Sequence, residues 1–393
     1  MNNMKPVLKK TLDLSLKRFL ESKYTIVYCS LLLITTLVCI ILEALIVDAD
    51  IKIYSDLQLV DPNITAYTST SIHVSKTGSD GVALGLRRLK NENVFFILLS
   101  LFQLLLGLDA MLRQSVIQIM AHVTNQYLSI IFVAMQIVET REKDEDVNQK
   151  ILNLIQSTSP AKSTIQTYFL VALRNGIGLV VVMSLLSLIF TYLCYQLYKQ
   201  FGWNIYKRIG ADIQQQHRFK LTQIFFLLLK LDAFFQLVLC IFYTVVMSQE
   251  AYYAMWSVDK KKFVGYVVHF VVTALLIPAL LLARHSVITE NKAIMGLFQA
   301  SQIIMIVDFI VVLVDSAGSW VFWILAVCVA IFLCFVTVVV GVLVSQNFDK
   351  GLKPYMQRLF ESYEDKDLLN SRDHVKNEEW LIDEDYSIPQ EHK

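Results

Sequence analysis

Charge is scarce in this sequence. Of its 393 residues only 18% are Asp, Glu, Lys or Arg, where a soluble chain carries about a quarter. The balance is +1 at pH 7, which removes the basic surface that a nucleic-acid partner needs. Catalytic signatures are missing as well: no P-loop, no G-x-G-x-x-G, no G-x-S-x-G and no H-E-x-x-H occurs. The histidines stand at 73, 122, 217, 269, 285, 374 and 392, and no two share the three- or four-residue spacing of a helical metal site. Cys29, Cys39, Cys194, Cys240, Cys328 and Cys334 all fall inside apolar runs, which argues against a disulfide framework or a zinc module and leaves buried packing as their role. The expectation is therefore a non-enzymatic protein, with no catalytic residue, cofactor or metal. A cleavable signal peptide is also lacking. The first apolar run, 25–47, is too long for a signal core and has no small-residue cleavage site, so it reads as an uncleaved anchor.

What is present is hydrocarbon. Hydrophobic residues make up 55% of the chain and the mean hydropathy is +0.52. Repeated apolar runs of about 18 residues or more define an all-α, polytopic membrane protein. The runs are continuous, not alternating, which argues against a transmembrane β-barrel. Eight spans are predicted at 25–47, 94–112, 116–138, 177–198, 221–247, 263–283, 293–314 and 319–345. Gln118, His122, Thr124, Asn125 and Gln126 interrupt the third. Such groups can hydrogen-bond between helices in a bundle, or can mark a helix lying at the interface, which would leave seven spans; burial is the favoured reading. Pro278, inside the sixth span, predicts a kink or local unwinding. Trp203, Tyr206, Tyr252, Tyr253, Trp256, Trp320 and Trp323 sit near span ends, as an interfacial aromatic belt would.

Three parts follow. Residues 1–24 read as a basic amphipathic helix, with Leu8, Leu12, Leu16, Phe19 and Leu20 opposite Lys9, Lys10, Lys17 and Arg18, suited to the cytosolic leaflet. Residues 25–346 form the helical bundle, with a lumenal loop at 48–93 carrying the sequon Asn63-Ile64-Thr65, a glycosylation candidate. Residues 347–393 read as an acidic, disordered cytosolic tail. In it Glu364, Leu368 and Leu369 match the acidic dileucine pattern read by cytosolic sorting adaptors. Eight spans place both termini in the cytosol, although Arg87, Arg88, Lys90, the loop from Arg141 to Lys150 and Lys260 to Lys262 would then be lumenal, against the positive-inside trend.

Charges inside spans mark functional paths or structural pairs. They are Glu43, Asp109, Lys230, Asp232, His269 and Asp308. Lys230 and Asp232 are two apart on one helix, so each needs a partner elsewhere. Asp308 and Glu43 are the candidate acids for Lys230, and His269 is the candidate partner of Asp232. Glu43 and Asp109, near span ends, also suit side chains snorkelling to the interface.

The segment FGWNIYKRIGAD (201–212), with Gly202, Trp203, Tyr206, Lys207, Ile209, Gly210, Ala211 and Asp212, precedes RFKLTQIFFLLLKLDAFF. It resembles a block in a fungal family of multispan proteins of unknown function, described as Golgi apparatus membrane proteins. Gln118, Asn125 and Gln136 match polar positions of that family. The resemblance covers residues 94 to 345. It implies eight spans and a place in the Golgi or neighbouring endomembranes, and it brings no catalytic residue, cofactor or substrate. The leading functional reading is a non-enzymatic role in membrane trafficking or organisation, with the bilayer and sorting adaptors as partners. One alternative is a solute or ion transporter using Lys230, Asp232 and Asp308; a second is a seven-span receptor.

Overall fold

The computed structural model describes residues 22–60, 79–149, 160–209, 213–251, 260–316, 321–348 and 350. The described residues form eight long helices: α1 (Lys23–Val60), α2 (Ser79–Arg113), α3 (Val116–Val147), α4 (Pro160–Ile209), α5 (Ile213–Ala251), α6 (Lys260–Thr289), α7 (Lys292–Ser316) and α8 (Val321–Ser345). All eight are long and apolar enough to cross a membrane, so the protein is an all-α, multi-pass membrane protein. The third predicted span is among the most enclosed, with Gln118, His122, Asn125 and Gln126 buried. A helix buried on its polar face is not lying flat at an interface, and the count of seven gives way to eight.

The solvent logic of a soluble protein is inverted. Leu33, Ile34, Leu37, Leu185, Leu188, Val307, Val311 and Phe332 are exposed, while Asp232, Gln236, Gln302, Asn93 and Gln126 are fully buried. Lipid accepts the first set, and the bundle interior must satisfy the second. Serine and threonine solve the problem locally. Thr36, Ser129, Thr140, Thr191, Thr222, Thr244 and Thr273 each donate to the carbonyl four residues back, at 2.7–3.0 Å. These hydroxyls therefore cross hydrocarbon without leaving the helix.

Packing divides the helices into two closed rings. In one, α1 touches α2, α2 touches α3, α3 touches α4, and α4 returns to α1; α5 to α8 repeat the same cycle. The second-to-third turns also match. Gln114 (φ 51°) and Glu290 (φ 54°) hold the left-handed conformation, and the next residue's N–H bonds a carbonyl five back in both: Ser115 to Ala110 and Asn291 to Ser286, each 3.0 Å. With four membrane-crossing helices in each, the two units start on the same membrane face. The units meet through α2 and α3 against α5 and α8, around Phe95, Phe96, Phe132, Phe235 and Phe322.

Helix lengths exceed the predicted spans. The segment 48–93 is helical at both ends, because α1 runs to Val60 and α2 begins at Ser79; Asn63 lies outside the described residues. The basic connector at 199–220 is also mostly helix, with α4 ending at Ile209 and α5 starting at Ile213. Pro278 sits within an uninterrupted α6. Trp323 departs from the belt: it is 3% exposed and stacks on Tyr243 at 6.5 Å.

Close approach of α1 and α2 depends on Gly107, where an added Cβ would lie 2.6 Å from Leu32 Cδ2. Leu32 is itself buried. Gly107→Ala is expected to destabilise by about 1–3 kcal/mol through overpacking, while Gly178→Ala, with open space around its Cβ, leaves stability level or slightly higher. Thermal unfolding in detergent checks both.

Candidate functional site: buried polar files in the two bundles

Each bundle encloses a line of polar side chains. In the first, α3 supplies Gln118, His122, Asn125, Ser129, Gln136 and Glu139. Their spacings of three, four or seven keep them on one helical stripe. His122 Nδ1 pairs with Tyr28 Oη at 2.9 Å. Gln103 Nε2 donates to Ser129 Oγ at 2.5 Å. Further along, Asn93 Nδ2 donates to Asp50 Oδ2 at 2.6 Å, and Gln136 Nε2 donates to Asn93 Oδ1. Glu43, 1% exposed, lies beside Gln136. Burial overturns the snorkelling expectation for Glu43, whose carboxylate points into the bundle and not toward the headgroups. Glu139 Oε1 accepts the N–H of Phe322 at 2.6 Å, joining α3 to the start of α8.

The second file runs along α5. Asp232, Gln236 and Cys240 are four apart and 0% exposed, so one face of α5 carries all three. Gln236 Nε2 donates to Gln302 Oε1 at 3.0 Å and contacts Cys334 Sγ at 3.1 Å. Thr337 and Gln236 stand beside the Asp232 carboxylate, as its polar neighbours. Gln236 Oε1 and Gln302 Nε2 are unpaired. No salt bridge reaches Asp232 among the described residues. One level further, His269 Nδ1 meets Asp308 Oδ2 at 2.8 Å, and His269 Nε2 lies 3.2 Å from the Cys240 carbonyl.

Both pairings expected from sequence are replaced. Lys230 Nζ bonds Asp109 Oδ2, and Arg113 Nε holds the other oxygen of Asp109 at 2.8 Å, so neither Asp308 nor Glu43 serves Lys230. Asp109 is thus an ion-pair partner tying α2 to α5, not a free snorkelling group. His269 is engaged with Asp308 and not with Asp232, because α6 and α7 are neighbours and Asp232 stands beside Thr337 of α8, about two helical turns along α5 from Cys240. Lys230 and Asp232 do separate as the two-residue spacing requires: Lys230 keeps 32% side-chain exposure, whereas Asp232 is enclosed. Sequence reasoning passed over Gln302, Thr337 and Glu139. Thr337 is a lone polar residue in an apolar run, Gln302 follows Gln299 and Ser301, and Glu139 opens a charged stretch, and no spacing within one helix links the three.

Of the other site candidates, residues 202–209 continue α4. Gly210, Ala211, Asp212, Glu364, Leu368 and Leu369 lie outside the described residues.

No protein-family description matches the chain, and no solved structure matches it. A relative does. The chain is 26% identical over 299 residues, 69% of its own length and 79% of the relative's, to the UPF0658 Golgi apparatus membrane protein of Schizosaccharomyces pombe. That name agrees with the family and the compartment that the block at 201–235 implies. The chain is a multi-pass helical membrane protein related to the fungal Golgi apparatus membrane proteins.

Proposed function

We propose that this protein moves a proton or a small cation across its membrane through the second bundle, in a non-enzymatic role. One observation carries the reading: Asp232 is 0% exposed, and no basic side chain neutralises it among the described residues. A carboxylate at such depth requires a cation, and a proton is the smallest one available. Structural ion pairs look different. Asp109 is paired with both Lys230 and Arg113 near the end of α2, and the group suits a role in holding α2 to α5. Gln236, Gln302 and Thr337 add oxygen ligands and no competing charge.

The test is flux. Purified protein in liposomes, with a pH-sensitive dye inside, is expected to dissipate an imposed proton or sodium gradient. Asp232→Asn, which keeps size and hydrogen-bonding capacity, is expected to abolish that flux while leaving the helical content and melting temperature near wild type. Equal flux in the two proteins overturns the proposal.

Sorting is supported separately by Glu364, Leu368 and Leu369 in the tail. Leu368→Ala with Leu369→Ala is expected to shift steady-state location away from the Golgi without changing liposome flux. Unchanged location by fluorescence microscopy sinks the motif.

A further inference from the structure

We infer that Cys240, His269 and Asp308 form a binding site for a divalent metal ion of the zinc class. The three residues come from three consecutive helices, α5, α6 and α7, and their ligand atoms all lie within 4.8 Å of one another. Cys240 is 0% and His269 2% exposed, and the Asp308 side chain is 11% exposed. Ligand atoms about 2.0–2.3 Å from a zinc ion lie roughly 3.3–3.8 Å apart. Binding therefore asks the His269–Asp308 pair, 2.8 Å apart, to open slightly and the wider separations, all within 4.8 Å, to close, both within the reach of side-chain rotation.

Donor chemistry chooses the ion. Magnesium and calcium take oxygen ligands. A sulfur, a nitrogen and an oxygen together suit a borderline-soft ion. Charge chooses the valence. Thiolate and carboxylate supply two negative charges and the imidazole none, so one divalent ion leaves the site neutral, the condition that hydrocarbon surroundings impose. The ion takes the place of the protons that the thiol and the His269–Asp308 pair carry in its absence. Three protein ligands leave a fourth position open.

The surroundings favour orientation over solvation. Tyr243 packs edge-on against the His269 ring at 4.8 Å, and Trp323 of α8 backs Tyr243. The site stands eight residues, about 12 Å, along α5 from Asp232. It shares no residue with the flux proposal, so either can fail alone.

Full-length protein in detergent, titrated with Zn²⁺ and then with Co²⁺ as a coloured substitute, tests the site. One saturable equivalent is expected, with sulfur-to-cobalt charge-transfer absorption. Cys240→Ser is expected to remove that absorption, and His269→Ala or Asp308→Asn to weaken uptake by about tenfold or more. Asp232→Asn is the control, expected to bind metal as wild type does. Since His269→Ala could unfold a buried contact, circular dichroism accompanies each variant and Cys240→Ser supplies the conservative change. Absent saturable uptake, a cobalt complex without thiolate absorption, or full uptake by Cys240→Ser each overturns the inference.

Discussion

Phe95→Ala is expected to produce the largest loss of stability of any single change considered for this protein. Its ring meets Phe96, Phe132, Phe234, Phe235 and Phe322 with centroids 5.5–6.5 Å apart. Those neighbours belong to α2, α3, α5 and α8, so one side chain sits where the two bundles meet. In a soluble core, Phe→Ala costs about 3–5 kcal/mol. Here the unfolded helices remain in lipid, which is as apolar as the core, and the transfer share shrinks. The cavity and the lost ring contacts remain, since each aromatic pair contributes about 0.5–1.5 kcal/mol. A loss of about 2–4 kcal/mol follows, read as a lower melting temperature in detergent. Leu105→Ala, at a side chain 65% exposed to lipid, is the comparison and is expected to change little. Equal melting of the two variants would show that the aromatic cluster does not hold the bundles together.

Glu139→Ala is the second large effect. The α8 helix begins at Val321, and the N–H of Phe322 is among the first-turn donors that no helical carbonyl can reach. Glu139 Oε1 accepts it at 2.6 Å from a carboxylate that is 4% exposed. The pairing also puts negative charge at the positive end of the α8 dipole. Alanine leaves the donor unpaired in a buried place, at a cost of about 1.5–3 kcal/mol for a bond to a charged group. Glu139→Gln retains an acceptor oxygen and is expected to lose less than half as much. Melting of the three proteins side by side decides this, and identical losses for Ala and Gln would rule out capping as the role of Glu139.

The membrane class and the helix count were legible because hydrocarbon imposes length on a run, and eight runs meet it. Polar residues in the third run were legible as bundle contacts: Gln118, His122, Asn125 and Gln126 are buried, whereas Thr124 faces outward and donates to its own helix. Partners were not. Lys230 found Asp109, and His269 found Asp308, across distances of 121 and 39 residues, and sequence holds no marker of which helix will stand beside which. The metal-ligand trio escaped notice on the same account. Helical spacing rules search within one helix, whereas Cys240, His269 and Asp308 are brought together by three. Trp323 shows the converse error: a tryptophan near a span end reads as interfacial, yet here α8 turns it inward against Tyr243. Extended helices such as α1 and α4 were also hidden, since apolar content marks where lipid is and not where hydrogen bonding stops.

The twin rings of α1–α4 and α5–α8 carry a consequence for how the protein can be made. Each ring closes on itself, and the chain passes from one to the other only between Ile209 and Ile213. That link sets an effective concentration for two bodies that already fit face to face. Cut there and supplied as two polypeptides, the halves retain every helix pair within each ring and the whole aromatic seam between them. A protein built this way can be assembled from separately inserted pieces, the membrane confining both to the same plane until the phenylalanines meet.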